Sequence, residues 1–422
     1  MPEVEYSNYY GEPKDIKRNI VLFFFDGTTF MPAMALLSIA TVFPFFLEQL
    51  NATTFEFAIV TSVTSIGMLA TQPIFGSMAS RAKLMTRTFG KVLLAQRGLF
   101  LLYILAMPLF ATSNRLMVWA FIISWSLFCL FSGSWVVFVV PIMLKILPPN
   151  KRGGMRGVGQ ALGSVIALGM AALIPFIIGV FPYPFDFMII FSLGLFFLFL
   201  NAAGFLLMKE HRDVEPRVPM KVKEYLQEMP TCLKKGSPFR AMILSSVFLV
   251  LANSLLPFYT YYAIQVFYID AYQIALLATI AIISTMIANI TFGFLIDYFS
   301  PVGVSPLVSV FVIMAGVIAL TSSNLIIFYI AWMFANIGNV CYMKATNLMI
   351  GDVSPPGKSP LYVGVLFIMS TALSPIAILV LAPVLEVAGF GLLFAVVTIC
   401  GGLGFFYNVF VFQKRLRTIS IE

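Results

Sequence analysis

Charged residues are scarce in this chain: they make up 10% of its 422 residues, against 60% hydrophobic residues. Soluble globular domains carry about a quarter charged residues, so the composition excludes that class. The apolar residues recur as about a dozen runs of roughly 20 or more, each long enough to cross about 30 Å of hydrocarbon as a helix. A β-barrel would instead show short alternating segments. The composition therefore predicts an all-α polytopic membrane protein.

The residues that build catalytic and metal sites are also sparse. The chain has one histidine, His211, and four scattered cysteines that show no metal or disulfide spacing: Cys129, Cys232, Cys341 and Cys400. It has no Gly-x-x-x-x-Gly-Lys segment for nucleotide phosphates and no serine–histidine–aspartate set. We therefore expect no enzyme activity, no cofactor and no metal, and no direct drive by ATP.

Twelve spans are predicted, six on each side of one polar segment. They are residues 19–47, 57–79, 92–111, 116–144, 157–181, 187–208, 242–267, 271–296, 304–320, 325–350, 361–385 and 390–412. The predicted organisation is a tail over 1–18, a bundle over 19–208, a central loop over 209–238, a second bundle over 239–412 and a tail over 413–422. Within the loop, Val222, Leu226 and Met229 form an apolar stripe typical of a short amphipathic helix at a membrane surface.

The basic residues lie on one side of the predicted bundles. Of 26 Lys and Arg residues, 23 fall in the tails and loops of one side, whereas Arg115 alone falls on the other. The positive-inside rule then places both termini and the central loop in the cytoplasm. The expected location is a plasma membrane, with a bacterial cytoplasmic membrane favoured. The net charge of +8 follows this pattern, so the expected partner is the lipid bilayer and not a nucleic acid.

Short motifs recur in corresponding loops of the two halves. The run Pro148-Pro149-Asn150-Lys151 follows the fourth span, and Pro355-Pro356-Gly357-Lys358 follows the tenth. Gly76 precedes Ser80-Arg81 at the end of the second span, and Gly293 precedes Asp297 at the end of the eighth. The repetition indicates a parallel duplication about an axis along the membrane normal.

With these motifs and its six-plus-six plan, the chain resembles the major facilitator superfamily over nearly its whole length. The family's Gly-x-x-x-Asp-Arg signature is degraded here, since Ser80 replaces the acid before Arg81. Lys151-Arg152-Gly153 is similar to the family's Arg-Gly pair after the fourth span. The signatures of drug/proton antiporters, an arginine in span 4 and a Gly-Pro run in span 5, are missing, so the subfamily is unassigned.

The resemblance implies a pseudo-symmetric pair of six-helix bundles that works by alternating access. Spans 1, 4, 5, 7, 8 and 10 would line the transport path, and the protein is expected to be a monomer. Gating or structural roles are implied for six residues: Gly76, Arg81, Arg97, Arg152, Gly293 and Asp297.

Three ionisable side chains lie well inside spans, where a charge is costly and needs a reason. Asp26 in span 1 is a candidate for carrying a coupling proton, with a structural ion pair or helix cap as the alternative. Lys344 in span 10 is a candidate for binding an anionic solute group or pairing with Asp26, with snorkelling to the surface as the alternative. For Arg97 in span 3, snorkelling or a fixed ion pair is the favoured interpretation.

Polar and aromatic side chains in the spans form a second set of candidates for solute binding. Amides also act simply as interhelical hydrogen-bond partners, tryptophan as core packing and tyrosine as interfacial anchors. Pro257 predicts a bend in span 7 just before the tyrosines. The candidates are Asn253, Tyr259, Tyr262, Asn289, Asn336, Asn339, Trp135 and Gln160.

The predicted function is secondary active transport of a small polar organic solute, either neutral or anionic. Transport is expected to be coupled to protons or to another ion. An efflux pump for amphipathic compounds is the first alternative. A membrane interaction protein that does not transport is the second.

Overall fold

The structure is a computed structural model that describes residues 12–146, 149–210, 223, 227, 229–233, 237–353 and 359–419. These residues form helices and no strand. The helices of the first part are α1 (Pro13–Leu36), α2 (Val42–Gln49), α3 (Thr54–Arg81), α4 (Met85–Phe110), α5 (Asn114–Cys129), α6 (Gly133–Ile146), α7 (Pro149–Val180) and α8 (Phe185–Leu207).

A 3₁₀ turn over Met229–Leu233 precedes the helices of the second part. These are α9 (Pro238–Ser254), α10 (Leu256–Phe267), α11 (Ala271–Phe299), α12 (Pro301–Leu320), α13 (Leu325–Val353), α14 (Ser359–Thr371), α15 (Ser374–Ala388), α16 (Phe390–Phe406) and α17 (Lys414–Ile419). A π-helix over Tyr407–Gln413 joins α16 to α17.

Twelve helical stretches in the described residues are long and apolar enough to cross a membrane. This confirms the prediction of an all-α, twelve-span, multi-pass membrane protein. Some spans consist of two helices: α5 with α6, α9 with α10, and α14 with α15.

The break in span 7 confirms the bend predicted from Pro257. Helix α9 ends at Ser254, and α10 starts at Leu256 with the proline in its first turn. Proline lacks an amide proton, so it is tolerated in a first turn and disrupts a helix interior.

Three other breaks differ from the prediction of continuous spans, and one of them separates α14 from α15, between Thr371 and Ser374 in span 11. Span 1 ends at Leu36 instead of residue 47, and α2 follows as a separate helix. Span 4 breaks between Cys129 and Gly133, where a Cβ at position 133 would lie 2.7 Å from the backbone nitrogen of Gln72. Glycine at 133 thus permits a close approach to α3 that a longer side chain would block.

The described chain forms two compact units. Unit 1 comprises residues 1–38, 49–52 and 66–222, and unit 2 comprises residues 39–48, 53–65 and 223–422. The predicted boundaries at 19–208, 209–238 and 239–412 stay a prediction. The amphipathic stripe proposed for the central loop lies outside the described residues, apart from Met229.

Unit 1 is built around α1, which packs against α7 and α8, while α4 packs against α8 and α5. The closest approach is at Gly159 and Gly163 of α7. A Cβ at Gly159 would lie 2.4 Å from the carbonyl oxygen of Phe24, and one at Gly163 would lie 2.4 Å from that of Gly27. Small residues spaced four apart let two helix backbones touch in this way.

The residues that follow α8 are bound to unit 1. The amide nitrogen of Asn19 donates to the carbonyl of Lys209 at 2.7 Å, and the Lys209 amide donates back at 2.9 Å. Glu210 accepts from Lys145 Nζ at 2.6 Å and from the backbone nitrogen of Thr86 at 2.9 Å. These bonds fix the exit of α8 beside the starts of α1 and α4 and the end of α6.

Unit 2 packs α12 against α13 and α16, and α9 against α16. It also includes α2 and the first turns of α3, which contact α10. Thr54 and Tyr261 share a hydrogen bond of 3.1 Å, and Gln265 donates to Glu48 Oε2 at 2.7 Å.

Candidate functional site

Two of the three charged residues predicted inside spans lie together in unit 1. Asn201 of α8 donates from Nδ2 to Asp26 Oδ1 of α1 at 2.6 Å. Arg97 of α4 donates from Nη2 to Asn201 Oδ1 at 2.9 Å. A single amide therefore joins the acid to the base, and we call Asp26, Asn201 and Arg97 the buried triad.

The buried triad is sealed from solvent, with exposed fractions of 5% for Asp26 and 3% for both partners. Asp26 also acts on Arg97 through its charge. A buried charge without a partner is strongly destabilising, so each charge in the triad makes the other tolerable.

Arg97 keeps hydrogen-bonding capacity in this position. Among the described residues, its Nε and Nη1 have no hydrogen-bond partner. A guanidinium carries five N–H donors in a fixed fork and favours carboxylates and phosphates. The predicted alternative of snorkelling does not describe this side chain, because it is buried and bonded to α8.

Two faces of α1 therefore serve different purposes. Gly27 faces α7 at the close helix contact, whereas Asp26 faces α8 and α4. Thr29 Oγ1 donates to the carbonyl of Phe25 at 2.8 Å, within its own helix.

Trp135 and Gln160 lie in the same unit and are both half-buried. Trp135 stacks on Phe30 with ring centroids 6.0 Å apart and an interplanar angle of 23°. Gln160 lies against Gly27, where its backbone nitrogen would be 2.8 Å from an added Cβ. The two residues flank α1 from α6 and α7.

The third charged residue, Lys344 of α13, lies in unit 2. Its Nζ donates to the backbone carbonyl of Asn289 in α11 at 2.8 Å. An ammonium carries three donors, so this bond uses one of them. The structure thus brings together two residues that the sequence named separately.

The other asparagine side chains of unit 2 differ in burial and in whether their amide nitrogen is hydrogen-bonded. Asn336 is buried and donates to the carbonyl of Trp332 in its own helix at 2.8 Å, whereas Asn339 is half-buried. Asn253 lies just before the break between α9 and α10, and its Nδ2 is buried without an acceptor among the described residues. Such a donor is expensive to leave unpaired, which marks Asn253 as a candidate ligand.

The two candidate tyrosines of α10 lie in an aromatic cluster. Tyr259 is buried, and its ring lies 5.0 Å from Phe394. Tyr262 is half-buried, with ring centroids 4.9 Å from Phe394 and 5.4 Å from Phe328. Among the described residues the Tyr259 hydroxyl has no hydrogen-bond partner.

The motif residues lie in α3, α7 and α11, and the structure describes the side chains of only some of them. Gly76 is half-buried, and Arg81 is exposed at the end of α3. The side-chain surroundings of Arg152, Gly293 and Asp297 lie outside the described part of the chain.

Sequence reasoning missed Asn201, which connects the buried triad. The signal was present, because this asparagine interrupts the apolar run LFFLFLNAAGFLL of span 6. It also missed Glu48 and Gln265, which meet within unit 2 although 217 residues separate them in the chain. Burial raises the pKa of the Glu48 carboxyl, and the hydrogen bond from Gln265 opposes part of that rise.

Solved transporter structures share this fold. The human organic anion transporter MFSD10 is 16% identical, with a TM-score of 0.63 over 94% of this chain and 100% of that one. A bacterial homologue of the iron transporter ferroportin, in an inward-facing state, is 15% identical, with a TM-score of 0.67 over 94% and 98%. The E. coli fucose:proton symporter is 14% identical, with a TM-score of 0.63 over 94% and 98%.

No protein-family model and no curated protein matches the sequence. The structural likeness nevertheless spans nearly the full length of each chain compared. It shows that this protein has the twelve-helix fold of major facilitator transporters, as the sequence motifs predicted.

Proposed function

We propose that this protein is a secondary active transporter that moves a small polar organic solute by alternating access. One observation carries the proposal: transporters of dissimilar solutes share its fold over more than nine-tenths of both chains. The charged side chains inside its helices support it, since charges are retained in spans mainly where solutes or ions are handled.

The orientation belongs to the same proposal. Both termini and the central loop lie in the cytoplasm, as the excess of basic residues on their side predicts. The membrane is a plasma membrane, the bacterial cytoplasmic membrane in the favoured case, and the protein acts as a monomer.

Each unit supplies its own groups for the solute. In unit 2, Lys344 has donors beyond the one that binds the Asn289 carbonyl, and Asn253 has an unpaired amide nitrogen. In unit 1, the stacked ring of Trp135 and the amide of Gln160 are the corresponding groups. The ammonium of Lys344 favours a solute with an anionic group.

The coupling ion in this proposal is a proton, and Asp26 carries it. Its carboxylate is buried beside a guanidinium with unused donors. Protonation removes the negative charge that balances Arg97, so it favours a state in which the guanidinium finds another acceptor. Two states of different proton affinity are what coupling requires.

Transport into proteoliposomes tests the proposal. A set of labelled organic anions, neutral polar solutes and amphipathic compounds is screened for exchange and for accumulation driven by a proton gradient. We expect Asp26→Asn to abolish accumulation and to preserve exchange.

A second buried carboxylate of unit 1 provides the control. Asp186 accepts from the Phe187 backbone nitrogen at 2.8 Å at the start of α8, away from the triad. Asp186→Asn should keep accumulation. Accumulation that persists in Asp26→Asn would refute proton coupling at this residue. A failure to exchange compounds of any of the three solute classes would refute transport.

A further inference from the structure

An open groove lies in unit 1, where α3 ends and α4 begins. Its volume is about 470 Å³. The apolar stretch of span 2 ends at Ala79 and that of span 3 begins at Met85, so the groove lies where the chain leaves the apolar layer. A phospholipid can therefore reach it from the bilayer. The lining residues are Ile74, Ser77, Met78, Arg81, Ala82 and Thr88.

One face of α3 changes from apolar to cationic along this groove. Ile74 and Met78 have exposed fractions of 59% and 40%, and Arg81 is exposed at the end of the helix. Residues spaced by four and by three lie on the same face of a helix. At the rise of an α-helix, Ile74 and Arg81 are about 10 Å apart along the axis. A phospholipid has the same order of groups, since its acyl chains lead to a charged phosphate at the membrane surface.

The stretch of chain over residues 74–91 is basic throughout. It contains no Asp or Glu, and its four cations are Arg81, Lys83, Arg87 and Lys91. All four side chains are exposed, and none of them forms an ion pair with a described residue. Their positive charges favour an anion in the groove.

The carboxylate that binds the start of α4 does not cancel these charges. Glu210 accepts from the backbone nitrogen of Thr86 at 2.9 Å and from Lys145 Nζ at 2.6 Å. Its side chain is buried, and Lys145 already balances its charge. Glu210 is not among the residues that line the groove. The exposed cations therefore keep their excess of positive charge.

Arg81 is the group of the lining that suits a phosphate. Its guanidinium carries five N–H donors in a fork that matches phosphate oxygens. The Thr88 hydroxyl already donates to the Leu84 carbonyl at 2.9 Å. The lining contains no acid, so the ammonium group of a zwitterionic lipid would find no carboxylate here. The groove therefore favours a lipid with a net negative charge.

The geometry points to a binding site for one anionic phospholipid, with its phosphate on Arg81 and an acyl chain along Met78 and Ile74. A soluble phosphate would leave the two apolar side chains uncovered, whereas a lipid occupies both ends of the groove. The count of basic residues predicts that this end of α3 is cytoplasmic, the side on which basic pockets beside spans bind anionic headgroups. The inference goes beyond the proposed transport function and depends neither on the solute nor on Asp26.

Lipid binding to the purified full chain in detergent tests the site. Phosphatidylglycerol, phosphatidylethanolamine and phosphatidylcholine with identical acyl chains are added in separate series, and native mass spectrometry counts the bound molecules. We expect about one phosphatidylglycerol per chain to bind at a concentration about fivefold or more below that of either zwitterionic lipid. Phosphatidylglycerol should also give a saturable rise in Tm, because a ligand of the folded state raises its stability.

Variants of single arginines locate the effect. Arg81→Gln should raise the half-saturating concentration of phosphatidylglycerol about fivefold, the equivalent of about 1 kcal/mol. Arg81→Lys should lose less affinity, since it keeps the charge without the planar fork. Arg240→Gln is the matched control, because Arg240 is exposed near the start of α9, on the same predicted side of the membrane and outside the groove. It should leave lipid binding unchanged.

Competition with inorganic phosphate and with glycerol phosphate distinguishes a lipid from a soluble anion. Neither should displace phosphatidylglycerol at equal concentration, and displacement by either would show a site for soluble anions. Equal affinities for phosphatidylglycerol and phosphatidylcholine would show unselective lipid cover and overturn the inference. An unchanged midpoint in a folded Arg81→Gln would overturn it as well. The selectivity of the unmodified chain decides the question if Arg81→Gln does not fold.

Discussion

At the scale of single residues, Asn201 stands out because its side chain hydrogen-bonds two buried residues of opposite charge. Its amide nitrogen meets Asp26, and its amide oxygen meets Arg97. An asparagine can do both at once, since it carries a donor and an acceptor on one short side chain. Both charges are therefore hydrogen-bonded to the same side-chain amide within unit 1.

The balance of charge within the buried triad leads to the first prediction. Arg97→Leu should lower the free energy of unfolding by about 3–5 kcal/mol, because it leaves the Asp26 carboxylate buried without its cation. Asp26→Asn combined with Arg97→Gln should cost less than the sum of Asp26→Asn and Arg97→Gln alone, since it removes both charges.

Unfolding of the purified variants in detergent measures this coupling. Lys344→Leu is the control, because that residue lies in unit 2 and should add to each triad variant independently. Strict additivity of Asp26→Asn and Arg97→Gln would contradict the proposed charge balance.

The second residue-scale prediction concerns Glu48, whose pKa is raised by burial although Gln265 donates to it. The folded state then holds this proton to a higher pH than the unfolded state, for which the ordinary value is 4.5. Stability from this group is therefore complete below that value and falls as the pH rises through the folded pKa.

Glu48→Gln should remove this fall and raise Tm slightly at neutral pH, since the amide oxygen still accepts from Gln265. The measurement is Tm against pH for the unmodified chain, for Glu48→Gln and for Glu386→Gln, whose side chain is exposed. A steeper loss of stability with rising pH in Glu48→Gln would show that the ionised carboxylate is the favoured form.

The glycines of α7 determine the helix packing at the scale of elements. Gly159 and Gly163 bring its backbone against α1, whereas an added Cβ at Gly169 meets nothing within 4 Å. Glycine is therefore required at positions 159 and 163, whereas position 169 has room for a side chain.

This contrast gives the third prediction. Gly163→Ala should destabilise the protein by about 1–3 kcal/mol, because the new methyl group would overlap the carbonyl of Gly27 and force the helices apart. Gly169→Ala should be neutral or stabilise by about 0.4–1 kcal/mol through reduced freedom of the unfolded chain. Tm values and yields of folded protein compare the pair, and an equal effect of both would contradict the packing argument.

The elements also show which parts of the structure local sequence signals could predict. Apolar run length predicted the spans, because crossing hydrocarbon sets a length that each run must satisfy. Pro257 predicted the break before α10, because its missing amide proton acts within one turn. At the break before Gly133, α6 closely approaches α3, a contact between distant segments that no local signal encodes.

The candidate site was less predictable for the same reason. The cost of charge in a membrane was enough to select Asp26, Arg97 and Lys344 as notable residues. Their partners, Asn201 and the Asn289 carbonyl, depend on which helices pack together and on how each is rotated. Asparagines occur in several spans, and composition does not show which of them will hydrogen-bond a charged residue.

At the scale of the whole molecule, the distribution of basic residues and the repeated loop motifs together predict on which side of the membrane each loop lies. A parallel duplication requires that equivalent loops of the two halves lie on the same side of the membrane. The loop between α4 and α5 and the loop between α12 and α13 are equivalent in this sense. The count of Lys and Arg predicts that the tail before α1 lies on the opposite side of the membrane.

Single introduced cysteines test that topology, because Cys129, Cys232, Cys341 and Cys400 are buried and should give little background. Ser113→Cys and Ser323→Cys, in the two equivalent loops, should react with a membrane-impermeant maleimide in intact cells. Lys14→Cys should react only after permeabilisation. Reaction of Ser113→Cys and Ser323→Cys under opposite conditions would rule out the parallel repeat, and reaction of Lys14→Cys in intact cells would place the termini outside.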